Sequence, residues 1–524
     1  MANRVDLTKR HNDGKWARYL PAISGFYATQ LGYDINIENY IPKERVPKDF
    51  EFGIQGINFL KSPDESYYSY QYGLFSAGHA DRNLNKCDTR QPMIHKRDKE
   101  KTIIVGDSGG FQIATGVIKL DWKTVKGPEG DKLREEILRY LEHTADWSMT
   151  LDVPAFAALP PFSEKTGLTK FEDCLDVTEH NLHYFMEHRV PGATKFLNVL
   201  SGSNNENSKQ WYEAVKVFSQ PDIVEALGYS RDRTLEGWAF AGCNMRQMKT
   251  TLQRLLNLRD DGLLADKDWI HFLGIGRLDW ACYLTSIERQ LKKHDNPNIC
   301  VSFDAASPFV AAGGYALSYD YTHFSADRLT YSMGKGIDDK NLKGCNHRMP
   351  YGGPINDRLT VGDICAMGPG DLNKHGKEGK TSWDTTSYAL VMAHNVYNHI
   401  HAVQEINRLA DVAYAKLGEV DYNEWYQYKG KKKVINKNDF VPNNILYFNS
   451  FVEKLFDPSN PAPYEMLDKY SDFLENISFG NNKSVTTIND ETMWGKQEVL
   501  SKDEYPDAQD MANMDDEHLI DVDK

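Results

Sequence analysis

The sequence has 524 residues, of which 40% are hydrophobic and 12% aromatic. This length exceeds one minimal domain and suits a single large barrel with additions. The formal net charge of -14 argues against a generic nucleic-acid-binding protein, which is usually basic. About half of that charge lies in residues 501–524, where nine acids and two lysines predict a disordered acidic tail. The remaining chain is only mildly acidic, so its net charge does not exclude a local basic groove that binds nucleic acid.

The cysteines and the distribution of apolar residues predict the cellular location of the protein. The seven cysteines are scattered without the paired spacing of a secreted disulfide framework, which favours a reducing compartment such as the cytoplasm. The N-terminal residues are polar and lack the apolar stretch of a signal peptide. No run of 18 apolar residues is present, so we expect no membrane-spanning helix.

Short apolar segments alternate with helical patterns along the first three hundred residues. We predict strands at Tyr19–Ser24, Tyr72–Ala77, Thr102–Gly106, Ser148–Val153, Lys195–Leu200, Gly237–Ala241, Trp269–Ile275 and Asn298–Asp304. Helices with apolar residues at three- to four-residue spacing are predicted at Leu133–Trp147, Asp173–Arg189, Ser208–Phe218, Asn244–Arg259 and Trp280–Lys293. This alternation is typical of a parallel sheet, and eight units favour a closed (β/α)8 TIM barrel over an open doubly wound sheet.

The alternation of strands and helices ends after the eighth strand. Residues 305–383 are rich in Gly, Asp and Tyr and are interpreted as irregular insertions. A helix is predicted over Thr385–Leu417, with an apolar stripe that indicates a core position. We therefore assign residues 1–420 to the barrel domain, 421–500 to a C-terminal extension and 501–524 to the tail. Within the extension, the aromatic and lysine residues at 425–433 suit stacking and phosphate contact, although most lysine runs are solvated loops.

Polar or glycine-rich segments follow six of the predicted strands: GDSGGFQ, LDVP, LSGSN, AGC, LGIG and FDAASP. Active sites of barrels lie at the carboxyl ends of strands, so one shared pocket explains all six. Ordinary turns also require Gly, Asp and Ser, and this alternative stays open for each segment. Asp107 and Asp304 end the third and eighth strands, and such a pair can divide nucleophilic and acid/base work at an anomeric carbon. A third acid, Asp152, would repel both unless it binds a polar ligand or a proton.

The GDSGGFQ segment at 106–112 resembles the signature of the tRNA-guanine transglycosylase (queuine tRNA-ribosyltransferase) family. LDVP, the Ser201–Gly202 turn, GWAFAGC, FLGIG, VSFDAASP, GGPIN at 352–356 and MAHN at 392–395 follow in the family's order. The resemblance spans about residues 15–415 and leaves the last hundred residues uncovered.

The resemblance implies a role for each matching residue. Asp304 corresponds to the nucleophile that attacks C1′ of a nucleoside and forms a covalent glycosyl-enzyme, and Asp107 to the acid/base. Asp152 corresponds to the carboxylate that reads the N1/N2 edge of a guanine-like base, and Gly242 to a backbone donor to the base carbonyl. Phe111 and Leu273 sandwich the base, which must leave its stack. The remaining residues implied to bind substrate are Ser108, Gly109, Gln112, Ser201, Gly202, Cys243 and Gly274.

The sequence also departs from the family pattern. Ser201 replaces a Gln, Ala241 replaces a Gly, and Cys243 stands where Leu is frequent, near the 7-substituent of the base. The segment SPFVAAGGYAL after Asp304 lacks the family's Arg, which puts ordinary tRNA contacts in doubt.

The zinc ligands of the family are largely missing. The family has a C-x-C-x-x-C cluster and a later His, of which His394 matches the His and only Cys365 lies in the expected region. Cys345 and His347 are nearby, so these four residues form a weak candidate set. The reaction itself requires no cofactor, and the sequence does not decide whether the protein binds zinc.

The leading hypothesis is exchange of guanine for a 7-deazaguanine base in nucleic acid. The departures favour DNA over tRNA, as in the DNA-guanine transglycosylases of phages and some bacterial islands; for a viral chain, the location would be the host cytoplasm. Three alternatives stay open: a tRNA-modifying enzyme, a non-catalytic subunit that binds RNA or a partner enzyme, and a barrel glycoside hydrolase. Family members are often dimers, so the resemblance also allows a homodimer of this chain.

Overall fold

The computed structural model of the chain describes residues 4–31, 43–324, 329–372, 376–418, 420–428, 441–479 and 487–488. Eight parallel strands form its centre. In chain order they are β1 (Arg18–Pro21), β2 (Tyr72–Ser76), β3 (Ile103–Asp107), β4 (Trp147–Met149), β5 (Lys195–Leu200), β6 (Gly237–Phe240), β7 (Trp269–Phe272) and β8 (Cys300–Ala305). Each lies within or beside one of the eight segments predicted from the sequence.

The eight strands close into a barrel. Consecutive strands from β2 to β8 are neighbours, and β8 pairs with β1. A parallel bridge between Ala22 and Leu74 joins β1 to β2, and the amide of Ile23 donates to the carbonyl of Leu74 at 2.9 Å. The predicted (β/α)8 fold is therefore confirmed.

Helices follow the barrel strands in the predicted alternation. The helices of nine or more residues are Pro128–Thr144, Phe171–His188, Asn205–Val215, Met248–Asp260, Leu278–His294, Ser307–Tyr315, Thr385–Leu417, Asn443–Phe456 and Ser471–Phe479. The shorter ones are Leu7–Gly14, Gly25–Gln30, Cys87–Arg90, Pro92–His95, Gly110–Thr115, Phe162–Thr166, Pro221–Ala226, Cys243–Arg246, Val361–Ile364, Glu424–Tyr428 and Pro463–Lys469. Among the described residues, no helix is long and apolar enough to span a membrane.

Large side chains fill the barrel near the amino ends of its strands. The Arg18 guanidinium lies 5.5 Å from the ring of Trp269 and 5.1 Å from that of Tyr72. The rings of Trp147 and Trp269 lie 5.3 Å apart. This end is thus a packed core, and we expect a ligand to bind at the carboxyl ends, as in other barrels.

Residues 305–383 are more regular than predicted. They contain the helix Ser307–Tyr315 and an antiparallel pair, β9 (Leu317–Phe324) and β10 (Leu329–Lys335). The side chain of Asn395 anchors this pair, because it accepts from the amide of Tyr319 at 2.8 Å and donates to the carbonyl of Leu317 at 3.0 Å. A distant amide thus completes a structure that local composition did not predict.

The predicted helix Thr385–Leu417 is confirmed with the same bounds. Its stripe is buried from Leu390 to Ile406, as expected for a core position, whereas Val412 is 39% exposed.

The C-terminal extension packs on the outside of the barrel. The ring of Phe448 lies 4.7 Å from that of Tyr283, and the hydroxyl of Ser478 accepts from the amide of Met248 at 2.7 Å. Trp425 is buried against Phe473, with ring centres 5.5 Å apart, so it is not free to stack on a base. The lysines of the 425–433 segment and the acidic tail at 501–524 lie outside the described residues.

Candidate active site

The three predicted carboxylates lie at the same end of the barrel. Asp107 is the last residue of β3, Asp304 is the penultimate residue of β8, and Asp152 lies three residues beyond β4. Because all eight strands are parallel, their carboxyl ends meet at one rim. The charges of Asp304 and Asp107 act on each other, as do those of Asp107 and Asp152, which places the three acids in one electrostatic group.

Asp304 is held through one of its two carboxylate oxygens. Its Oδ1 accepts from the amide of Gly274 at 2.8 Å and lies 3.1 Å from Nε2 of His271. The side chain is buried, and Oδ2 takes part in none of the hydrogen bonds described for this residue. One oxygen is therefore fixed while the other is left for attack on an electrophile.

Hydrogen bonds at both ring nitrogens of His271 fix its tautomer. The indole of Trp269 donates to Oγ of Ser302 at 2.7 Å, and that Oγ lies 2.8 Å from Nδ1 of His271. An ionised carboxylate can only accept, so Nε2 of a neutral His271 carries the proton and donates to Asp304, while Nδ1 accepts from the hydroxyl of Ser302. All three are buried.

Sequence reasoning missed His271, Ser302 and Trp269, although a signal was present. Trp269 and His271 are two residues apart on β7, and Ser302 and Asp304 are two apart on β8. Side chains two apart share a face of a strand, and Ser302 is paired with His271. Polar residues with this period on two neighbouring strands indicate a polar file that leads to the rim.

Asp107 is surrounded by the loop after β2. Burial raises the pKa of Asp107 and the charge of Asp304 raises it further, whereas hydrogen bonds from Ser76 and from the amide of Gly109 oppose the shift. The charge of His79, whose Nε2 lies 2.9 Å from Nε2 of the Gln112 side chain, also lowers the pKa of Asp107. The result is a carboxyl group that holds a proton more readily than a surface Asp, as a group that exchanges protons requires.

The environment of Asp152 favours its protonated form. Burial, with a smaller contribution from the charge of Asp107, raises its pKa from 3.8 to about 7. Its backbone packs tightly on the GDSGGFQ helix, because a Cβ at Gly110 would lie 2.4 Å from the Asp152 carbonyl. The site thus carries a carboxyl group with no cation to neutralise it among the described residues.

Some residues of the GDSGGFQ segment have a structural role. Gly109 has a φ of 83° and begins the helix Gly110–Thr115, and a Cβ there would lie 2.9 Å from the amide of Gly78. Ser108 is buried and donates to the carbonyl of Thr150 at 3.2 Å. Gln112 is likewise buried and bonded within the protein. The side chains of Ser108 and Gln112 are thus bonded within the protein, whereas Phe111 is half-buried and lies 5.6 Å from the ring of Phe156.

The loops after β5 and β6 are in close backbone contact. The amide of Cys243 donates to the carbonyl of Gly202 at 2.9 Å, and a Cβ at Gly242 would lie 2.4 Å from the same carbonyl. Gly242 has a φ of 58°, which also favours glycine. Ser201 is buried behind this contact, so its side chain is poorly placed to replace the family's glutamine in base contact.

Two other predicted residues, Cys243 and Leu273, follow β6 and β7 at the same rim. Burial raises the pKa of the Cys243 thiol to about 11, so it is protonated and behaves as a small apolar group. Leu273 is half-buried beside the Gly274 amide that binds Asp304, and its own amide donates to the carbonyl of Phe240 at 3.0 Å.

The four residues suggested as metal ligands from the sequence do not form a ligand set. Nε2 of His394 lies 2.9 Å from the Tyr319 carbonyl, and Sγ of Cys365 donates to the carbonyl of Ile337 at 3.3 Å. Within the described ranges, the one group of three or more His, Cys, Asp or Glu side chains with ligand atoms mutually within 4.8 Å excludes all four, including Cys345 and His347. Local spacing had suggested a set that long-range packing does not bring together.

Together, the rim can attack an electrophilic carbon, transfer a proton and bind a group with adjacent N–H donors. Comparisons with models of known protein families and with curated protein sequences give no match.

Proposed function

We propose that this chain is a guanine transglycosylase that exchanges guanine for a 7-deazaguanine base in nucleic acid, with DNA as the favoured substrate. The observation that carries the proposal is the group of three carboxylates at one barrel rim, in the loops that resemble the family's motifs. Each acid meets a different chemical demand of base exchange.

Asp304 is the nucleophile of the proposed reaction. Its Oδ2 attacks C1′ of the target nucleoside as the bond from C1′ to the guanine nitrogen breaks, which gives a covalent glycosyl-enzyme. The Gly274 amide and His271 hold Oδ1, so the attacking oxygen is oriented without being occupied. Such preorganisation lowers the cost of reaching the attack geometry.

Asp107 is the acid/base. Its raised pKa suits donation of a proton to the departing guanine. The resulting carboxylate then takes the ring N–H proton of the incoming 7-deazaguanine, whose nitrogen attacks C1′ and displaces Asp304. Protons and bonds balance over the two steps, and the enzyme returns to its starting state.

Asp152 binds the base. Guanine and its 7-deaza analogues present two adjacent N–H donors, which a carboxylate can accept together. The pKa of about 7 means that this acid loses its proton near neutral pH, and binding of the donors favours the ionised form.

The preference for DNA rests on the sequence, because the segment 307–317 after the nucleophile lacks the family's Arg. In the structure this segment forms the helix Ser307–Tyr315. A tRNA substrate, a non-catalytic binding role and glycoside hydrolysis are the alternatives that the experiment must separate.

Covalent trapping tests the proposal. Purified protein is incubated with guanine-containing duplex DNA or with tRNA, each with a 7-deazaguanine base, and is then run on a denaturing gel. We expect a shifted band with DNA that Asp304→Ala abolishes and Asp279→Ala retains, because Asp279 is paired with Arg277. A band with tRNA alone would assign the tRNA reaction, and no band with either substrate would contradict the transglycosylase.

A further inference from the structure

A second group of chemically active side chains lies away from the carboxylate rim. Cys87, Asp88 and His95 come from the connection between β2 and β3, and His143 lies near the end of the helix Pro128–Thr144. Their ligand atoms are all within 4.8 Å of one another. His95 and His143 lie shortly before β3 and β4 begin, at the end of the barrel opposite to Asp107, so the catalytic proposal does not use this group.

The donor separations measured from Asp88 are close to those of tetrahedral coordination. Oδ1 of Asp88 lies 3.6 Å from Sγ of Cys87, 3.2 Å from Nε2 of His143 and 3.9 Å from Nδ1 of His95. Zinc bonds to N, O and S of about 2.0–2.3 Å give ligand-to-ligand separations of about 3.3–3.7 Å at tetrahedral angles. The observed separations differ from these by a few tenths of an ångström, a distance that side-chain rotation covers.

His95 provides an independent indication of a ligand. Its side chain is 1% exposed, and its Nδ1 is buried without a hydrogen-bond partner. A buried ring nitrogen left unpaired costs free energy that a bound ion would offset. Its other nitrogen, Nε2, lies 3.3 Å from the hydroxyl of Tyr140, which is the outer contact that a metal-bound histidine usually has.

We propose that Cys87, Asp88, His95 and His143 bind a structural divalent cation of the zinc class. The thiolate and the carboxylate supply two negative charges, and the two imidazoles complete a closed four-ligand set, which is typical of a structural site. The side chains of Asp88 and His143 are 52% and 38% exposed, so the ion can enter from solvent. Binding would join the β2–β3 connection to the helix that leads into β4.

Metal analysis of the full-length protein is the first test. We expect stoichiometric zinc after purification without chelator. The protein freed of metal should take up Co²⁺ with the visible absorption of tetrahedral coordination and a thiolate charge-transfer band, and zinc should displace the Co²⁺. Protein that lacks zinc and binds added Zn²⁺ more weakly than about 1 µM would overturn the proposal.

Surface variants separate loss of the site from loss of the fold. His143→Ala should weaken Zn²⁺ binding at least about a hundredfold, and Tyr140→Phe about ten- to a hundredfold through the outer contact. His180→Ala is the matched control, because this histidine is 34% exposed and also lies beside one carboxylate, that of Asp131. It should bind Zn²⁺ as the wild type does. Wild-type affinity in His143→Ala would contradict the assignment, with circular dichroism confirming that each variant is folded.

Discussion

Carboxylates at the two ends of the barrel have opposite surroundings. At the amino end, Asp146 precedes β4 and accepts from Arg97 at 2.9 Å and from the amide of Ile104 in β3 at 2.8 Å. Glu236 repeats the arrangement before β6, with Arg189 at 2.6 Å and the amide of Phe196 in β5 at 2.7 Å. Each acid thus neutralises a buried cation and binds a backbone donor of the neighbouring strand.

At the carboxyl end, the acids have no such cation. Within the described residues, no lysine or arginine forms an ion pair with Asp107, Asp152 or Asp304. The charge of Asp304 raises the pKa of Asp107, and the charge of Asp107 raises the pKa of Asp152. Acids that serve the fold are paired, because an unpaired buried charge is costly. Acids that remain unpaired in a group at a barrel rim indicate a site where function outweighs stability.

The largest expected effect is a difference in base-exchange rate between variants at the two ends of the barrel. Asp304→Asn should lower the rate of base exchange at least about ten-thousandfold, because the amide is a poor nucleophile while the fold is unchanged. Asp146→Asn, assayed at a temperature where it is folded, should keep kcat within about threefold of the wild type, because it lies at the other end. Initial rates with labelled base measure both. A similar loss in the two variants would break the comparison.

The second effect is a pH dependence at Asp152. Its pKa is about 7 in the folded protein and near 3.8 when unfolded, so the unfolded state loses this proton first. This group therefore lowers the stability as pH rises from about 4 to about 7, by at most about 4 kcal/mol. Asp152→Asn removes the titration, so its stability relative to wild type should increase over this range.

Base binding should show the opposite dependence. The ionised Asp152 accepts the two donors of the base, so the wild-type affinity for the 7-deazaguanine should weaken as pH falls below about 7. Urea unfolding and base titrations between pH 5 and about 8 measure the two effects. Parallel stability profiles of wild type and Asp152→Asn would exclude the predicted protonation.

The third effect separates the two ends by stability. Asp146→Asn leaves the Arg97 guanidinium, which is 0% exposed, without its counter-charge and should lower the free energy of unfolding by about 3 kcal/mol. Asp107→Asn removes an acid that has no cation and should leave the stability unchanged or raise it. Urea denaturation compares the two. An equal loss in both variants would show that the rim acids also support the fold.

The fold was predictable because its signals are local. Each barrel strand is a short apolar run bounded by turn residues, and the helix Thr385–Leu417 has a continuous stripe. The strand predicted at Ser148–Val153 was too long, since β4 ends at Met149 and the chain then leaves the sheet towards Pro154. The pair β9 and β10 was missed because its anchor, Asn395, is 76 residues from Tyr319 along the chain.

The site was predictable only in part. Asp107 and Asp304 lie at the carboxyl ends of their strands and Asp152 lies three residues beyond β4, so the barrel alone brings them to one rim. His271 was missed because its contact with Ser302 depends on the register between β7 and β8. The group around Cys87 was missed because its ligands come from two segments that only the folded chain joins.

The smallest effect tests whether His271 positions the nucleophile. His271→Phe keeps a ring in the buried space but removes the donor to Oδ1 of Asp304, so kcat should fall about ten- to a hundredfold with KM little changed. Ser302→Ala retains the histidine and should cost less. A kcat of His271→Phe within about twofold of the wild type would assign His271 to packing alone, and the polar file from Trp269 would then belong with the amino end of the barrel.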